Sequence, residues 1–396
     1  MLKNFLEENK MKKILALILA LVMAVAFVAC AKGGNEPAES TSGESESANA
    51  AATYSVAMIT DYGDITDQSF NQTTYEACKE FCDANSVDFK YYKPASDSDE
   101  DRVAMIESAI DEGFNVVVMP GYAFAKAIAS TVNNYSDVKF IALDVSEYDL
   151  TEAGLTEIPA NLYSAVYKEE LCGYMAGYAA VKLGYSKLGF LGGMAVPAVI
   201  RYGFGFLQGA DAAAAETGAQ VSVNYAYGNQ FYGDPDITAA MDTWYKDGTE
   251  VVFACGGGIF TSAAEAAAKV NGKVIGVDVD QAGIIDGTYG EGMTVTSAMK
   301  GLAPTVKTLL TAVSEDKFAD YGGKVEALGL VSGNPEENYV QLPSATTQFN
   351  DTFTADDYKA LVADMYSGKI TVSDDITASA ADLGKTITVN DLGNIK

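Results

Sequence analysis

The sequence contains no histidine and only two arginines, Arg102 and Arg201. Without histidine, Ser-His-Asp and Cys-His catalysis are excluded, and the commonest transition-metal ligand is missing. Two arginines leave almost no capacity for bidentate clamping of phosphates or carboxylates. Positive charge is scarce altogether: 26 Lys and Arg face 54 Asp and Glu, for a formal net charge of −28 at pH 7. Nucleic-acid binding needs a basic footprint, so that partner is excluded. Cysteine is sparse as well. Cys78 and Cys82 stand four apart on a predicted helix and share a face, a spacing better suited to core packing than to a disulfide or a metal pair. No metal and no cofactor is expected.

What remains is a globular composition, 48% hydrophobic and 20% charged over 396 residues, which leaves room for two domains. The first 29 residues read as an address. Lys10-Met11-Lys12-Lys13 precedes an unbroken apolar run from Ile14 to Ala29, short for a membrane span and right for a secretory signal. Met11 opens a cleaner signal than Met1. The run ends in Phe27-Val28-Ala29-Cys30, which resembles a bacterial lipobox and makes Cys30 the expected lipidation site; an uncleaved signal anchor is the alternative. Residues 30–53, rich in Gly, Ser, Glu and Ala, read as a flexible tether behind that cysteine.

From Tyr54 the pattern changes to alternating strands and helices, which means parallel, doubly wound sheets. Tyr54 to Ile59 is a buried strand, Thr60-Asp61-Tyr62-Gly63 a polar turn, and a helix follows with Thr66 or Asp67 as its expected N-cap. Further strands are expected at 87–92, 115–119 and 139–144, then periodicity fades over 145–166. A second α/β unit runs to about residue 278. It contains a small-residue helix at 170–183, the aromatic loop 227–235 and the Gly256-Gly257-Gly258 loop. The expected division is a first lobe of 54–160 plus 284–396 and a second lobe of 161–283. Two similar lobes joined by several crossings describe a type I periplasmic-binding-protein fold, a hinged clamshell.

Ligands of open α/β sheets bind at the carboxyl ends of the strands. Here those ends carry Asp61, Gly121, Asp144, Gly256 and Asp278 with Asp280, joined by Phe70, Asn71, the Phe231-Tyr232 pair and Lys300. Carboxylates accept hydrogen bonds strongly, so a ligand rich in O–H and N–H groups suits them, and Lys300 offsets part of their charge. Aromatic side chains on facing loops can hold a flat ring. Taken singly, each aspartate could merely cap the next helix, and Phe70 could be core. The glycine loop lacks the Lys-Ser/Thr of a P-loop and forms no dinucleotide fingerprint.

Asp67-Gln68-Ser69-Phe70-Asn71 after Thr60-Asp61-Tyr62-Gly63 resembles the opening motif of the basic membrane protein family, substrate-binding lipoproteins of ABC transporters that include purine nucleoside receptors. In order, Gly173-Tyr174-Met175-Ala176-Gly177, Leu191-Gly192-Gly193-Met194 with Pro197, Gly276-Val277-Asp278-Val279-Asp280-Gln281 and Thr296-Ser297-Ala298-Met299-Lys300 extend the match over roughly residues 54–315. The resemblance implies a non-enzymatic, extracytoplasmic, lipid-anchored receptor that captures a nucleoside between its lobes and hands it to a permease. It implies that Phe70 stacks on the base, with Phe231 or Tyr232 completing the sandwich. Asp61, Asn71, Asp144, Asp278 and Lys300 are then the polar contacts. Tyr62 and the Asn-Gln-Phe-Tyr-Gly-Asp loop depart from the family's pattern. The competing readings are a sugar or other small-metabolite receptor of the same fold, a nucleoside hydrolase using Asp61 or Asp144, and a tethered sensor.

Overall fold

A computed structural model describes residues 54–396; the expected signal, the Cys30 lipidation site and the tether lie outside them. β1 (Val56–Ile59) is buried along its whole length, as a central parallel strand covered on both faces must be. It pairs in parallel with β2 (Phe89–Tyr92) and with β3 (Val116–Pro120), and β3 pairs with β4 (Lys139–Leu143). Between them run α1 (Phe70–Asn85), α2 (Asp99–Asp111) and α3 (Ala125–Thr131). The weakly periodic stretch after β4 is the short α4 (Glu147–Glu152), closed by a Ser146/Asp149 capping box, followed by β5 (Leu162–Tyr167). With β11 (Lys324–Leu328) these strands form an all-parallel six-stranded sheet in the order β11-β5-β4-β3-β1-β2.

The second lobe begins with α5 (Glu169–Lys182), then β6 (Lys187–Gly192), α6 (Pro197–Thr217) and β7 (Ser222–Tyr227). It continues through α7 (Pro235–Lys246), β8 (Val251–Cys255), α8 (Phe260–Ala268), β9 (Lys273–Asp278), α9 (Ala282–Tyr289) and β10 (Thr294–Lys300). Its sheet runs β12-β10-β9-β8-β6-β7-β13, where β12 (Val340–Gln341) is the antiparallel edge and β13 (Thr388–Asn394) pairs in parallel with β7.

These pairings correct the expected boundaries. β5 belongs to the first sheet, although residues 161–283 were assigned to the second lobe. β10, β12 and β13 belong to the second sheet, although the return was placed at residue 284. The physical reason is that a buried strand's own residues report burial and not which neighbour it pairs with. The chain crosses between sheets three times: at Tyr167 to Glu169, at Lys300 to Leu302, and between Leu328 and Val340. α10 (Leu302–Ser314) carries the chain back to pack on α1. The crossings are hydrogen-bonded to one another, Lys168 N–H to Leu328 O at 2.9 Å and Gly301 N–H to Tyr339 O at 2.7 Å. That is the hinge. The C-terminal segment, expected only to complete the first lobe, holds α11 (Ala355–Tyr366) and instead ends as β13 on the edge of the second sheet.

α5 and α6 approach each other through glycines from both sides. A Cβ on Gly177 would lie 2.0 Å from the carbonyl oxygen of Phe206, and one on Gly209 2.0 Å from that of Tyr174. No flexible side chain can yield there, because the obstacle is backbone. Gly177→Ala is therefore expected to destabilise the protein by about 1–3 kcal/mol, read as a lowered urea midpoint at constant m-value. An unchanged midpoint would contradict the packing. This contact matters for the site because α6 delivers Arg201 and Tyr202 to the cleft.

Candidate functional site

A cavity of about 110 Å³ lies between the carboxyl edges of the two sheets. The turn after β1 brings Asp61, whose Oδ1 accepts from the N–H groups of Tyr62 (2.7 Å) and Gly63 (3.0 Å). Burial raises its pKa despite those bonds. Gly121, after β3, has φ +128°, and a Cβ there would stand 2.5 Å from Asp61 Oδ2. Its role is to leave that carboxylate space.

Asp67 caps α1 from outside the helix. Its carboxylate accepts from the backbone N–H groups of Ser69 (2.9 Å), Asn71 (2.9 Å) and Gln72 (3.0 Å). It also accepts from Asn71 Nδ2 at 3.1 Å. A carboxylate only accepts, so the Asn71 amide nitrogen must face it and Oδ1 must face the other way. That oxygen is buried without a partner, and Asn71 lines the cavity. Phe70, the first residue of α1, lines it too.

Asp144 and Asp278 follow β4 and end β9 in the left-handed conformation, φ +61° and +65°. Aspartate tolerates this better than most residues, and such strain gathers at functional sites. Asp144 Oδ2 accepts from Lys300 Nζ at 2.5 Å while its Oδ1 is buried and unpartnered. Burial pushes its pKa up to about 6, with Lys300 opposing the shift and Glu169 adding to it. Asp278 Oδ2 accepts from Ser69 Oγ at 2.6 Å, across the cleft, and burial raises its pKa as well.

Lys300 ends β10 at the hinge and is 3% exposed. Its ammonium lies 3.4 Å from Glu169 Oε1 and 3.8 Å from Asp278 Oδ1, and 4.8 Å from the centroid of the Phe70 ring. Burial alone would lower its pKa, but the carboxylates of Asp144, Glu169 and Asp278 overcome that and hold it protonated. Glu169 is fully buried and also accepts from Arg201 Nε at 2.7 Å.

From the second lobe comes Phe231, seated against glycines. A Cβ on Gly193 would be 2.4 Å from its ring, and one on Gly256 2.9 Å. Phe231 lines the cavity. Tyr232 is 62% exposed and does not, which corrects its inclusion among the expected ring contacts. Successive residues of an extended loop point to opposite sides, so only one of the pair can face inward. Asp280 is corrected similarly: it caps α9 through Ala282 N–H at 3.1 Å and accepts from Thr346 Oγ1 at 2.7 Å, outside the cavity. The remaining expected residues, Asp61, Phe70, Asn71, Gly121, Asp144, Phe231, Gly256, Asp278 and Lys300, are brought together around it.

Sequence reasoning did not place Asp67, Glu169, Arg201, Tyr122 or Met194 at the cleft. The scarcity of arginine was the available signal. Both arginines serve the cleft, Arg201 through Glu169 and Arg102 by donating from Nε to Asp61 O at 3.2 Å. Gln281 acts as a strut between lobes, its Nε2 donating to Gln68 O at 3.0 Å.

Hinged parallel-sheet lobes closing on a cavity of strand-end carboxylates and one phenylalanine from each side define a solute-binding protein of the type I periplasmic class. Two of the solved structures that share this fold are solute-binding proteins. The ABC transporter solute-binding protein from Conexibacter woesei superposes with a TM-score of 0.63 at 23% identity, covering 81% of this chain and 99% of that one. The one from Aeropyrum pernix gives 0.61 at 20%, covering 84% and 90%. A family model described as ABC transporter substrate-binding protein PnrA-like (Bmp) matches residues 54–368, and the chain belongs to that family. Among its relatives, the "ABC transporter nucleoside-binding protein BmpA" of Lactococcus lactis is 26% identical over 335 residues, 80% of this chain and 88% of that protein. The "CD4+ T-cell-stimulating antigen" of Listeria innocua is 28% identical over 341 residues, 81% and 90% respectively.

Proposed function

We propose that this substrate-binding protein captures a nucleoside, with purines preferred, and delivers it to an ABC permease from the extracytoplasmic face, anchored through a lipid on Cys30. The observation that carries the ligand reading is that Phe70 and Phe231, one from each lobe, line the same cavity as buried acceptors that lack protein donors. Two rings can hold a planar base. In this reading Asn71 Oδ1 and Asp144 Oδ1, both without a protein donor, accept from the ligand's N–H and O–H groups. The name of the Lactococcus lactis relative supports the same reading. Ligand that bridges the lobes favours the closed form by its differential affinity, and the closed form is what a permease reads. Among the described residues no helix is long and apolar enough to cross a membrane, so anchoring falls to the N-terminal segment in this proposal.

Catalysis is not part of the reading. A hydrolase would need Asp61 or Asp144 as base or metal ligand, whereas the family model and the Lactococcus lactis relative are both described as transporter binding proteins. Chromatography of the bound nucleoside tests this: recovery of intact nucleoside is expected, and accumulation of free base would overturn it.

A pH dependence follows from Asp144. Its pKa near 6 means the carboxylate is ionised at pH 7 and mostly protonated at pH 5. Protonation removes the anionic acceptor and loosens Lys300, so affinity falls as pH drops. If the ionised form alone binds, linkage makes Kd about tenfold weaker at pH 5 than at pH 7. Equilibrium titrations across that range check it. Asp144→Asn should bind more weakly and with a flat profile.

A further inference from the structure

Tyr62, the residue of the opening motif left unexplained by the family resemblance, reaches across the cleft. Its hydroxyl donates to Met194 Sδ at 3.4 Å, and Met194 follows β6 in the second lobe. Tyr122, after β3, directs its own hydroxyl at the same sulfur from 3.9 Å. Both tyrosines line the cavity. Tyr122 and Asp149 also line an outer groove with Asp97, Asp99, Lys126 and Glu152, so the tyrosine pair stands where the cavity meets the outside.

The pair is braced from behind. Arg102 is buried, holds the Asp61 carbonyl with Nε, lies 5.9 Å from the centroid of the Tyr62 ring, and is itself held by Asp97 and Asp99. Met194 is fixed less rigidly, by its own backbone turn to Val196 N–H. A stiff donor pair therefore meets a polarisable, unbranched acceptor, and a thioether can take two phenols at once.

We infer that Tyr62, Tyr122 and Met194 form a latch at the mouth of the cleft, positioning residues that hold the lobes together independently of ligand and set how long a bound ligand stays. The ligand-dwell part rests on the receptor reading above; the ligand-free part does not. At the hinge end, closure is carried by Asp278 with Ser69 and by Gln281 with Gln68 O. The latch is a separate contact between the lobes, beside the outer groove that Tyr122 shares with the cavity.

The test uses Tyr62→Phe, Met194→Leu and the double variant of the full chain, each first shown to melt as a single transition. One weak hydrogen bond predicts a dissociation rate for bound nucleoside raised about threefold to tenfold in each single variant. The association rate should stay within about twofold, since mutational effects of this kind fall mainly on dissociation. The double variant should be no faster than the faster single one, because both changes break one contact. Small-angle scattering of ligand-free protein should show the variants more expanded than the wild type. Dissociation rates within twofold of wild type, or fully multiplicative effects, would overturn the latch. If the wild type binds no nucleoside, the receptor reading fails while scattering still decides the latch: identical ligand-free profiles would reject it.

Discussion

Lys300→Met is expected to destabilise the protein by about 3–5 kcal/mol near pH 8, the cost of leaving buried carboxylates without their cation. The three acids do not lose equally. Glu169 keeps Arg201 and Asp278 keeps Ser69, but Asp144 loses the donor to its Oδ2 and has an unpartnered Oδ1 already. Asp144 is then driven to take up a proton. The native state binds more protons than the unfolded chain in this range, so stability falls as pH rises, and the variant should recover much of its loss toward pH 5. Urea unfolding at pH 5 and pH 8 checks it: a loss equal at both would show that the carboxylates are not what Lys300 compensates. Replacing such a cluster by apolar side chains is often neutral for stability. Its presence at the hinge fits the proposed function, in which ligand meets carboxylates already oriented and partly neutralised.

The second large effect concerns the rings. Phe70→Ala and Phe231→Ala should each weaken nucleoside binding by about 1–3 kcal/mol, a factor of roughly 5 to 150. Tyr232→Ala should leave Kd within about twofold, because that ring faces solvent. Titration of the three variants decides between the neighbours. A loss at Tyr232 and none at Phe231 would reverse the assignment.

Much of the fold was legible because its signals are local. The β1 turn, the α1 start and the small residues of α5 are each written in a few consecutive residues, and the strand-end aspartates follow from the doubly wound pattern. What escaped depends on tertiary pairing. Nothing in Leu162–Tyr167 says that it joins β4, nor in Thr294–Lys300 that it joins β9. Asp280 and Asp278 sit two apart in one motif, yet one caps a helix and the other faces the cavity, since the chain turns between them. Glu169 stood just outside the helix expected at 170–183 and drew no reading. Only the hinge brings it to Lys300 and Arg201.

The most direct test of the central claim is calorimetric titration of the protein with guanosine, adenosine, inosine and a pyrimidine nucleoside, beside ribose and free bases. The account predicts tight binding of a purine nucleoside, with ribose and base each far weaker, because rings and carboxylates read the two halves together. Binding of ribose as tight as of any nucleoside, or no nucleoside binding, would contradict it.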